Sequence, residues 1–243
     1  MDTGLKNRAI LVTGATGGIG AATVRILASE GARIIASGRD EQKLAELAAE
    51  TGCETRPFDL TSEASVKDAL SGLDLYGVVN CGGWGGEIAT PMETDTAVFD
   101  KVIDINARGT LLVTKYAAQN MVAAGTRGSI VNVSSQASLV GLAGHISYAS
   151  SKGAVDAMTR VSALELGPHG IRVNAVNPTV VMTPMSEWYW GREEIGGPVL
   201  AAMPLGRWAT EADCAAPIVF LLSDAAAMIT GVCLPVDGGF TAV

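Results

Sequence analysis

Short runs of β-branched residues alternate with longer stretches rich in alanine and leucine along the whole chain. Several of the short runs, such as AILV and SIVNV, are continuously apolar, which is typical of strands buried on both faces of a parallel sheet. Consecutive parallel strands need a crossover helix between them. The alternation therefore predicts an α/β fold, with a single doubly wound domain and helices on both faces of a parallel sheet.

The predicted elements span the chain from end to end. The strands are expected at residues 9–13, 33–37, 55–57, 77–80, 129–133, 172–177 and 233–236. The helices are expected at 19–29, 41–50, 63–71, 98–124, 148–166 and 212–223. With no linker or internal repeat, residues 1–243 are predicted to form one domain. The interval 182–208 is long for a connection and carries three consecutive aromatic residues, which indicates a substrate loop or lid.

Composition excludes several classes of protein. Apolar residues make up 48% of the chain, which is enough for a sizeable core, and the net charge of −8 opposes binding to nucleic acid or an anionic membrane. The sequence contains no run of 18 apolar residues, so no transmembrane helix is expected. The four cysteines have no CxxC spacing, so neither a disulfide framework nor a metal site is expected. These features favour a cytoplasmic enzyme that acts on a small molecule.

A glycine-rich turn, TGATGGIG, follows the first predicted strand and opens the first helix. Gly14 permits the tight turn, Gly18 lets the backbone approach a phosphate, and Gly20 allows close packing of helix on strand. Ile19 lies between the last two, at a helix N-terminus whose free N–H groups favour a pyrophosphate. An ordinary glycine-rich turn is the alternative, but its position at the start of an alternating α/β pattern favours a dinucleotide site.

The residue after the second strand bears on the choice of dinucleotide. A site selective for NAD places an acidic residue there to accept from the ribose hydroxyls. Here the strand is followed by Gly38 and Arg39, and a guanidinium pairs well with a 2′-phosphate. The sequence therefore favours NADP(H) as the cofactor, with NAD(H) as the alternative. In the simpler interpretation, Arg39 is a solvated charge that pairs with Asp40 or Glu41.

Four residues form the predicted catalytic set. Tyr148 and Lys152 lie four apart at the start of a helix, hence on one face. Ser135 follows the strand that feeds this helix, and Asn106 lies on the preceding long helix. A ketone that accepts a hydride needs a proton on its oxygen, which Tyr148 can deliver if the ammonium of Lys152 favours its ionised form. Ser135 would stabilise the developing alkoxide, and Asn106 would support proton relay to Lys152.

Each of these residues has a simpler interpretation when taken alone. A tyrosine and a lysine four apart on a helix usually form a surface pair, and serines near a strand end are often part of a turn. Their occurrence together, in this order and after the glycine turn, favours catalysis.

With these motifs, the chain resembles the short-chain dehydrogenase/reductase family. The resemblance covers the whole chain, through TGATGGIG, Asn106, Ser135, the Tyr148-x-x-x-Lys152 pair and the terminal PVDGG. It implies a Rossmann-like sheet of seven parallel strands and a homotetramer. The resemblance also implies further contacts with the cofactor. Asp59, next to Leu60, would contact the adenine amino group, and Asn80 would lie near the adenosine ribose. Val181 and Thr183 would hold the nicotinamide carboxamide, and Lys152, beside Tyr148, would hold the nicotinamide ribose.

Other segments are similar to the L-xylulose (dicarbonyl) reductase branch of the family. These are SIVNVSSQAS at 129–138, the segment 163–185, and Pro178-Thr179 in place of the more usual Pro-Gly. The resemblance implies NADPH-dependent reduction of a ketose or α-dicarbonyl. It places Ser135, Gln136, His145, Tyr148 and Trp190 around the substrate. The family's Asn-Asn-Ala-Gly is replaced by an altered segment, residues 80–86, which continues into Trp84.

Three competing functions remain open at this point. An NAD-dependent polyol or secondary-alcohol dehydrogenase would use the same residues in the oxidative direction. A 3-oxoacyl thioester reductase is a more distant alternative. A nucleotide sensor without turnover would be expected to lack Tyr148, Lys152 or Ser135, all of which are present.

Overall fold

The structure, a computed structural model, describes residues 3–183 and 186–242. Its strands are β1 (Ala9–Thr13), β2 (Arg33–Ala36), β3 (Glu54–Thr55), β4 (Gly77–Asn80), β5 (Ser129–Val133), β6 (Arg172–Pro178) and β7 (Cys233–Val236). They pair in the order β3-β2-β1-β4-β5-β6-β7, and every pairing is parallel. The predicted seven-stranded parallel sheet is confirmed.

The helices connect these strands. They are α1 (Gly18–Ser29), α2 (Glu41–Thr51), α3 (Glu63–Leu70), α4 (Thr96–Ile103), α5 (Gly109–Ala124), α6 (Ile146–Leu166), α7 (Glu187–Trp190), α8 (Glu193–Ala201) and α9 (Glu211–Leu222). Side-chain caps start several of them. Asp40 accepts from the N–H of Lys43, and Thr210 and Asp213 form a reciprocal capping box at α9.

Two helical predictions need correction. The helix expected over 98–124 starts two residues earlier, where Asp95 caps Ala97, and a π-helical segment at Asp104–Arg108 divides it. The interval 182–208, expected as a loop, contains the helices α7 and α8. Pro198 and two glycines lie inside α8, and such residues normally indicate a break in a helix.

Neighbouring residues along each strand belong to opposite layers of the core. In β1, Ile10 and Val12 pack in the layer that includes residues of α1, α2 and α9. Ala9 and Leu11 pack in the layer that includes residues of α3, α5 and α6. This period of two explains why the strands are apolar on both faces. The bounds of β2, β3 and β6 differ from the prediction by one or two residues.

The strand order reverses between β1 and β4, which are neighbours in the sheet although β2 and β3 separate them in sequence. In doubly wound sheets the ligand crevice opens at such a switch point, beyond the carboxyl ends of the strands. The glycine turn after β1, the altered segment after β4 and Ser135 after β5 all lie at this edge. Among the described residues, no helix has the length and hydropathy needed to span a bilayer.

Candidate active site

The glycine turn has the tight geometry that its sequence predicts. Gly14 adopts φ +62°, a left-handed conformation that favours glycine, and a Cβ atom there would lie 2.7 Å from the backbone of Gly82. A Cβ on Gly20 would collide with the carbonyl oxygen of Gly14. The turn is tied to the next strand by a 2.9 Å hydrogen bond from the Ala15 N–H to the Ser37 carbonyl. The backbone therefore closes tightly at the start of α1.

Ser135 follows β5 and is buried, with 8% of its surface exposed. Its Oγ accepts a 3.1 Å hydrogen bond from the N–H of Ala137, which fixes the oxygen at the start of a short 3-10 turn. Gln136 comes next and is 2% exposed. Neither polar atom of its side-chain amide has a hydrogen-bond partner in the described part of the protein. A buried amide without hydrogen bonds destabilises the fold, and a bound ligand or water could supply the missing bonds.

Tyr148 and Lys152 are brought together on α6, as their spacing predicts. The Lys152 Nζ atom lies 5.6 Å from the centre of the Tyr148 ring. Lys152 is 5% exposed and donates a 2.8 Å hydrogen bond to the carbonyl of Val133, the last residue of β5. A buried ammonium is therefore held between the tyrosine ring and the end of β5.

Asn106 lies in the π-helical segment and is completely buried. Its side chain pins the backbone of Trp84, because Oδ1 accepts from the Trp84 N–H at 2.8 Å and Nδ2 donates to the Trp84 carbonyl at 2.9 Å. Nδ2 also donates to Ser151 Oγ. A Cβ on Gly83 would lie 3.3 Å from Asn106 Oδ1 and 3.6 Å from Lys152 Nζ. Asn106 thus contacts the altered segment close to Lys152.

One cavity of about 480 Å³ brings most of the predicted residues together. Its size is within the range of small-molecule sites. Its lining joins the glycine turn to the residues expected to react and to bind substrate, namely Gly14, Gly18, Ile19, Gly20, Ser135, Gln136, His145, Tyr148, Lys152, Val181, Thr183 and Trp190. Five residues predicted for catalysis or cofactor binding lie outside this lining, namely Asn106, Arg39, Asp59, Leu60 and Asn80.

One end of the cavity is aromatic. His145 is 7% exposed and stacks on Trp190, with ring centres 5.4 Å apart, and meets Tyr189 edge-on at 5.7 Å. The His145 Nδ1 atom lies 2.7 Å from the carbonyl oxygen of Ala143. A carbonyl can only accept, so Nδ1 carries the hydrogen and Nε2 of the neutral ring is left as an acceptor.

Burial lowers the pKa of His145 below its ordinary 6.5, and the Ala143 carbonyl opposes this shift. The unfolded chain therefore binds more protons than the folded one as pH falls below 6.5, and folding is weakened there. We expect the stability advantage of the wild type over His145→Gln, measured by urea unfolding, to be largest above pH 6.5 and to shrink below it. His169→Gln makes the same substitution at an exposed site and is the control for loss of a histidine, with stability expected within about 0.5 kcal/mol of the wild type. A constant difference across this range would contradict the assignment.

Arg39 and Asp59, both predicted for the adenosine half of a dinucleotide, lie outside the lining of the cavity. Arg39 is exposed just beyond β2, and its positive charge contributes to a lowered pKa of Asp59, behind the larger effect of hydrogen bonds from Thr61. Asp40 is occupied instead by the N–H of Lys43, at 3.0 Å. The second oxygen of Asp40 lies 3.8 Å from Lys43 Nζ, and within the described part of the chain no ion pair joins Arg39 to Asp40 or Glu41.

Asn80 is placed differently from the other residues predicted for the cofactor. Its side chain is 3% exposed, and Nδ2 donates to Asn132 at 2.8 Å and to Thr114 at 3.1 Å. The amide nitrogen is thus committed to the interior of the sheet. The proximity of Asn80 to a ribose stays a prediction. Leu60, also predicted here, is half-buried and packs against the core.

The segment after β6 returns over the glycine turn. A Cβ on Gly18 would lie only 2.7 Å from the Thr183 Cγ2 atom. Ser186 shapes this segment, because its Oγ accepts from the N–H of Thr183 at 3.0 Å and donates to the carbonyl of Val181. Val181 itself is buried. Thr183 is therefore held against the start of α1.

Sequence reasoning missed several residues of the cavity. Trp84 lines it with its ring under Lys101, whose Nζ lies 4.8 Å from the ring centre. Cys81, Ile88 and Ser186 also line it. Residues 80–86 depart from the family pattern, and this departure was a sequence signal that Trp84 has a special role. No comparable sequence signal indicated Ser186. No three His, Cys, Asp or Glu side chains come together as a metal site over residues 3–183 and 186–242.

Comparison with known proteins identifies the family and the fold. A family model described as Enoyl-(Acyl carrier protein) reductase matches residues 14–241. A structure from Mycobacterium ulcerans, described as a short-chain type dehydrogenase/reductase, superposes with a TM-score of 0.94 at 32% identity, covering 98% of this chain and 91% of that one. The chain belongs to the short-chain dehydrogenase/reductase family and is an oxidoreductase.

Two relatives of known name are similar to this chain over nearly its whole length. L-xylulose reductase from Bos taurus is 42% identical over 243 residues, with 100% of both chains covered. D-erythrulose reductase from Gallus gallus is 39% identical over 240 residues, with 98% of each covered. Both names describe reductases of ketoses.

Proposed function

We propose that this protein reduces a small ketone, either a ketose or an α-dicarbonyl, to the corresponding alcohol with NADPH. One observation carries the proposal. The glycine turn and the Ser135, Tyr148 and Lys152 side chains line the same cavity, so a dinucleotide and a carbonyl group would meet beside a proton donor. The relatives named as ketose reductases support this substrate class.

The cavity fits a nicotinamide dinucleotide, because the bare backbone of Gly14, Gly17, Gly18 and Gly20 forms its wall where α1 begins. The first-turn N–H groups of α1 would hold the pyrophosphate. Val181 and Thr183 would hold the nicotinamide end, and Asp59 the adenine. When bound, this cofactor supplies the hydride.

Tyr148 would donate its hydroxyl proton to the carbonyl oxygen as negative charge develops there. The ammonium of Lys152 stabilises the phenolate that remains, because an opposite charge close by favours the ionised form. The Val133 carbonyl holds this ammonium in place. Lys152 therefore acts through its charge and its fixed position.

Ser135 would donate a hydrogen bond to the same substrate oxygen. Its Oγ accepts from Ala137 and donates to no group in the described part of the protein, so the hydroxyl hydrogen is available to the cavity. Asn106 supports the site from behind, since it holds the Trp84 backbone next to Lys152. Together these contacts stabilise a developing alkoxide.

The substrate class follows from the polar groups at the aromatic end. The unpartnered amide of Gln136 offers a donor and an acceptor, and Nε2 of His145 offers an acceptor. A second oxygen beside the reacting carbonyl, as in an α-hydroxy ketone or a diketone, would satisfy them. Trp190, stacked on His145, would cover the substrate and exclude water.

A substrate panel tests this proposal. Purified protein with NADPH or NADH is assayed against L-xylulose, diacetyl and an acetoacetyl thioester, and with NAD⁺ or NADP⁺ against xylitol. The expected result is a higher kcat/KM for the ketose or diketone than for the thioester. Turnover of the thioester alone would refute the substrate class, and efficient oxidation of xylitol with NAD⁺ alone would favour a polyol dehydrogenase.

Arg39 would carry the preference for NADPH, since it is exposed just beyond β2, where dinucleotide sites of this fold recognise the adenosine ribose. Hydrogen bonds to charged groups contribute about 1.5–3 kcal/mol, so Arg39→Ala should lower kcat/KM for NADPH about ten- to a hundredfold and leave that for NADH unchanged. Lys43→Ala, which removes a nearby exposed charge, is the control and should alter neither value. Equal losses with both cofactors would contradict this role.

The proposal extends to assembly and location. Apolar side chains remain exposed on α5 and α6, with Leu111 49%, Val161 53% and Leu164 78% accessible. Covering these side chains in a homotetramer would remove them from water. The four cysteines are unpaired thiols, which is typical of a reducing compartment such as the cytoplasm.

A further inference from the structure

A buried polar cluster lies behind Ser135, outside the lining of the cavity. Its members are Asp156, Asn177 and Ser138, which we term the Asp156 cluster. Asp156 is 2% exposed and Asn177 is fully buried. Asp156 Oδ2 accepts from Ser138 Oγ at 2.6 Å and from Asn177 Nδ2 at 2.9 Å. None of the proton-transfer or binding steps proposed above uses this carboxylate.

The cluster holds the backbone of Ser135. The Ser135 carbonyl oxygen lies 2.6 Å from Ser138 Oγ, whose single hydroxyl hydrogen is shared between this carbonyl and Asp156 Oδ2. The same carbonyl accepts from Asn177 Nδ2 at 3.2 Å. Both donors also contact Asp156, so the carboxylate fixes the direction in which each of them points. A shift of Asp156 would therefore be transmitted to the peptide that carries the Ser135 hydroxyl.

The three members come from the three elements that build the site. Asp156 lies one helical turn after Lys152 on α6, on the same face. Ser138 ends the 3-10 turn that Ser135 caps, and Asn177 lies at the end of β6, before the segment that reaches Thr183. The cluster thus joins the helix of Tyr148 and Lys152 to the loop of Ser135.

Stability alone does not account for the cluster. Asp156 Oδ1 and Asn177 Oδ1 are buried and have no hydrogen-bond partner in the described part of the protein. Unpaired buried acceptors destabilise a fold, and an apolar filling of the same volume would avoid this cost. A role in geometry explains why a carboxylate occupies this position.

We infer that Asp156 is a positioning residue, which sets the separation of the Ser135 hydroxyl from the Tyr148 hydroxyl through Asn177 and Ser138. This inference rests on the proposed roles of Ser135 and Tyr148. Small displacements of a reacting group are costly, since misplacement by about 1 Å can lower a rate about a hundredfold. Loss of the carboxylate should therefore reduce kcat while the dinucleotide site, formed by other residues, keeps its affinity.

The test compares Asp156→Ala with Asp156→Asn. Asp156→Ala should lower kcat about ten- to a hundredfold, with the Kd for NADPH, measured by fluorescence titration, unchanged. Asp156→Asn keeps an acceptor oxygen for Ser138 and Asn177 and should restore most of kcat. Ser138→Ala, at a half-buried position, provides a milder variant that removes one donor. It should also lower kcat, and its effect should not add to that of Asp156→Ala.

Thr159→Val is the matched control, because Thr159 is buried on the same helix and accepts from Asn132 at 2.8 Å. It should lower Tm and leave kcat unchanged, the reverse of the pattern expected for Asp156. Unchanged kcat in Asp156→Ala and Ser138→Ala would overturn the inference, as would a fall in kcat that only follows loss of folded protein. If Tyr148→Phe is inactive in the same assay, the proposed function stands even when the Asp156 inference fails.

Discussion

Replacing Tyr148 by phenylalanine should lower kcat/KM for ketone reduction about 10²- to 10⁴-fold, the range typical of a lost general acid. The ring that faces Lys152 is retained in this variant, so the cation–ring contact and the fold are preserved. The Kd for NADPH and the Tm should therefore stay at their wild-type values. The measurement is steady-state kinetics with a ketose or diketone, accompanied by fluorescence titration of NADPH.

Tyr76→Phe is a suitable control for the removal of a tyrosine hydroxyl. Its hydroxyl donates to the carbonyl of Leu222, away from the cavity. Loss of that bond should reduce stability by about 1 kcal/mol without an effect on kcat. Wild-type turnover in Tyr148→Phe would exclude Tyr148 as the proton donor.

Ser135→Ala is expected to have the next largest effect. Removal of one donor to a developing oxyanion costs about 10²- to 10³-fold in kcat. The loss should fall on kcat more than on KM, because the hydrogen bond strengthens as the substrate oxygen becomes negative. Steady-state kinetics over a range of ketone concentrations separates the two parameters.

A serine on the strand that leads to Ser135 provides the control. Ser129 is buried at the opposite end of β5, where its hydroxyl donates to the carbonyl of Leu221. Ser129→Ala makes the same chemical change and should lower Tm but not kcat. If Ser135→Ala raised KM and left kcat intact, Ser135 would contribute to binding and not to the reaction.

Much of the fold could be predicted because each signal was local. The strands β1, β4, β5 and β7 have the predicted bounds, since continuous apolar runs between glycines and polar residues indicate buried strands. The glycine turn could be predicted for the same reason. Its conformation depends on residues that are adjacent in sequence.

The features that were missed depend on contacts across the fold. The π-helical segment at Asp104–Arg108 contains Asn106, whose side chain binds Trp84 from another loop, and helical periodicity does not report this interaction. Pro198 inside α8 argued locally against the helix that the structure contains. A tertiary environment overrode the propensity in that case.

The candidate site shows the same division. Tyr148 and Lys152 share a helix face, so their spacing alone placed them together. The links from Asp156 to Asn177 and Ser138 join positions up to 21 residues apart on different elements. No spacing rule relates such positions before the sheet order is known. The hydrogen bond from Asn80 to Asn132 could not be predicted for the same reason.

Direct hydride transfer to a ketose is the central claim, and deuterium labelling tests it most directly. The protein is incubated with L-xylulose and NADPH that carries deuterium at the transferable position of the nicotinamide, and the product is examined by mass spectrometry and NMR. We predict one deuterium on the new carbinol carbon of the alcohol, and about a hundredfold less labelled product, or lower, from the Tyr148→Phe variant over the same period. Oxidation of the cofactor without deuterium in the product, or no reduction of any ketose or diketone, would contradict the account.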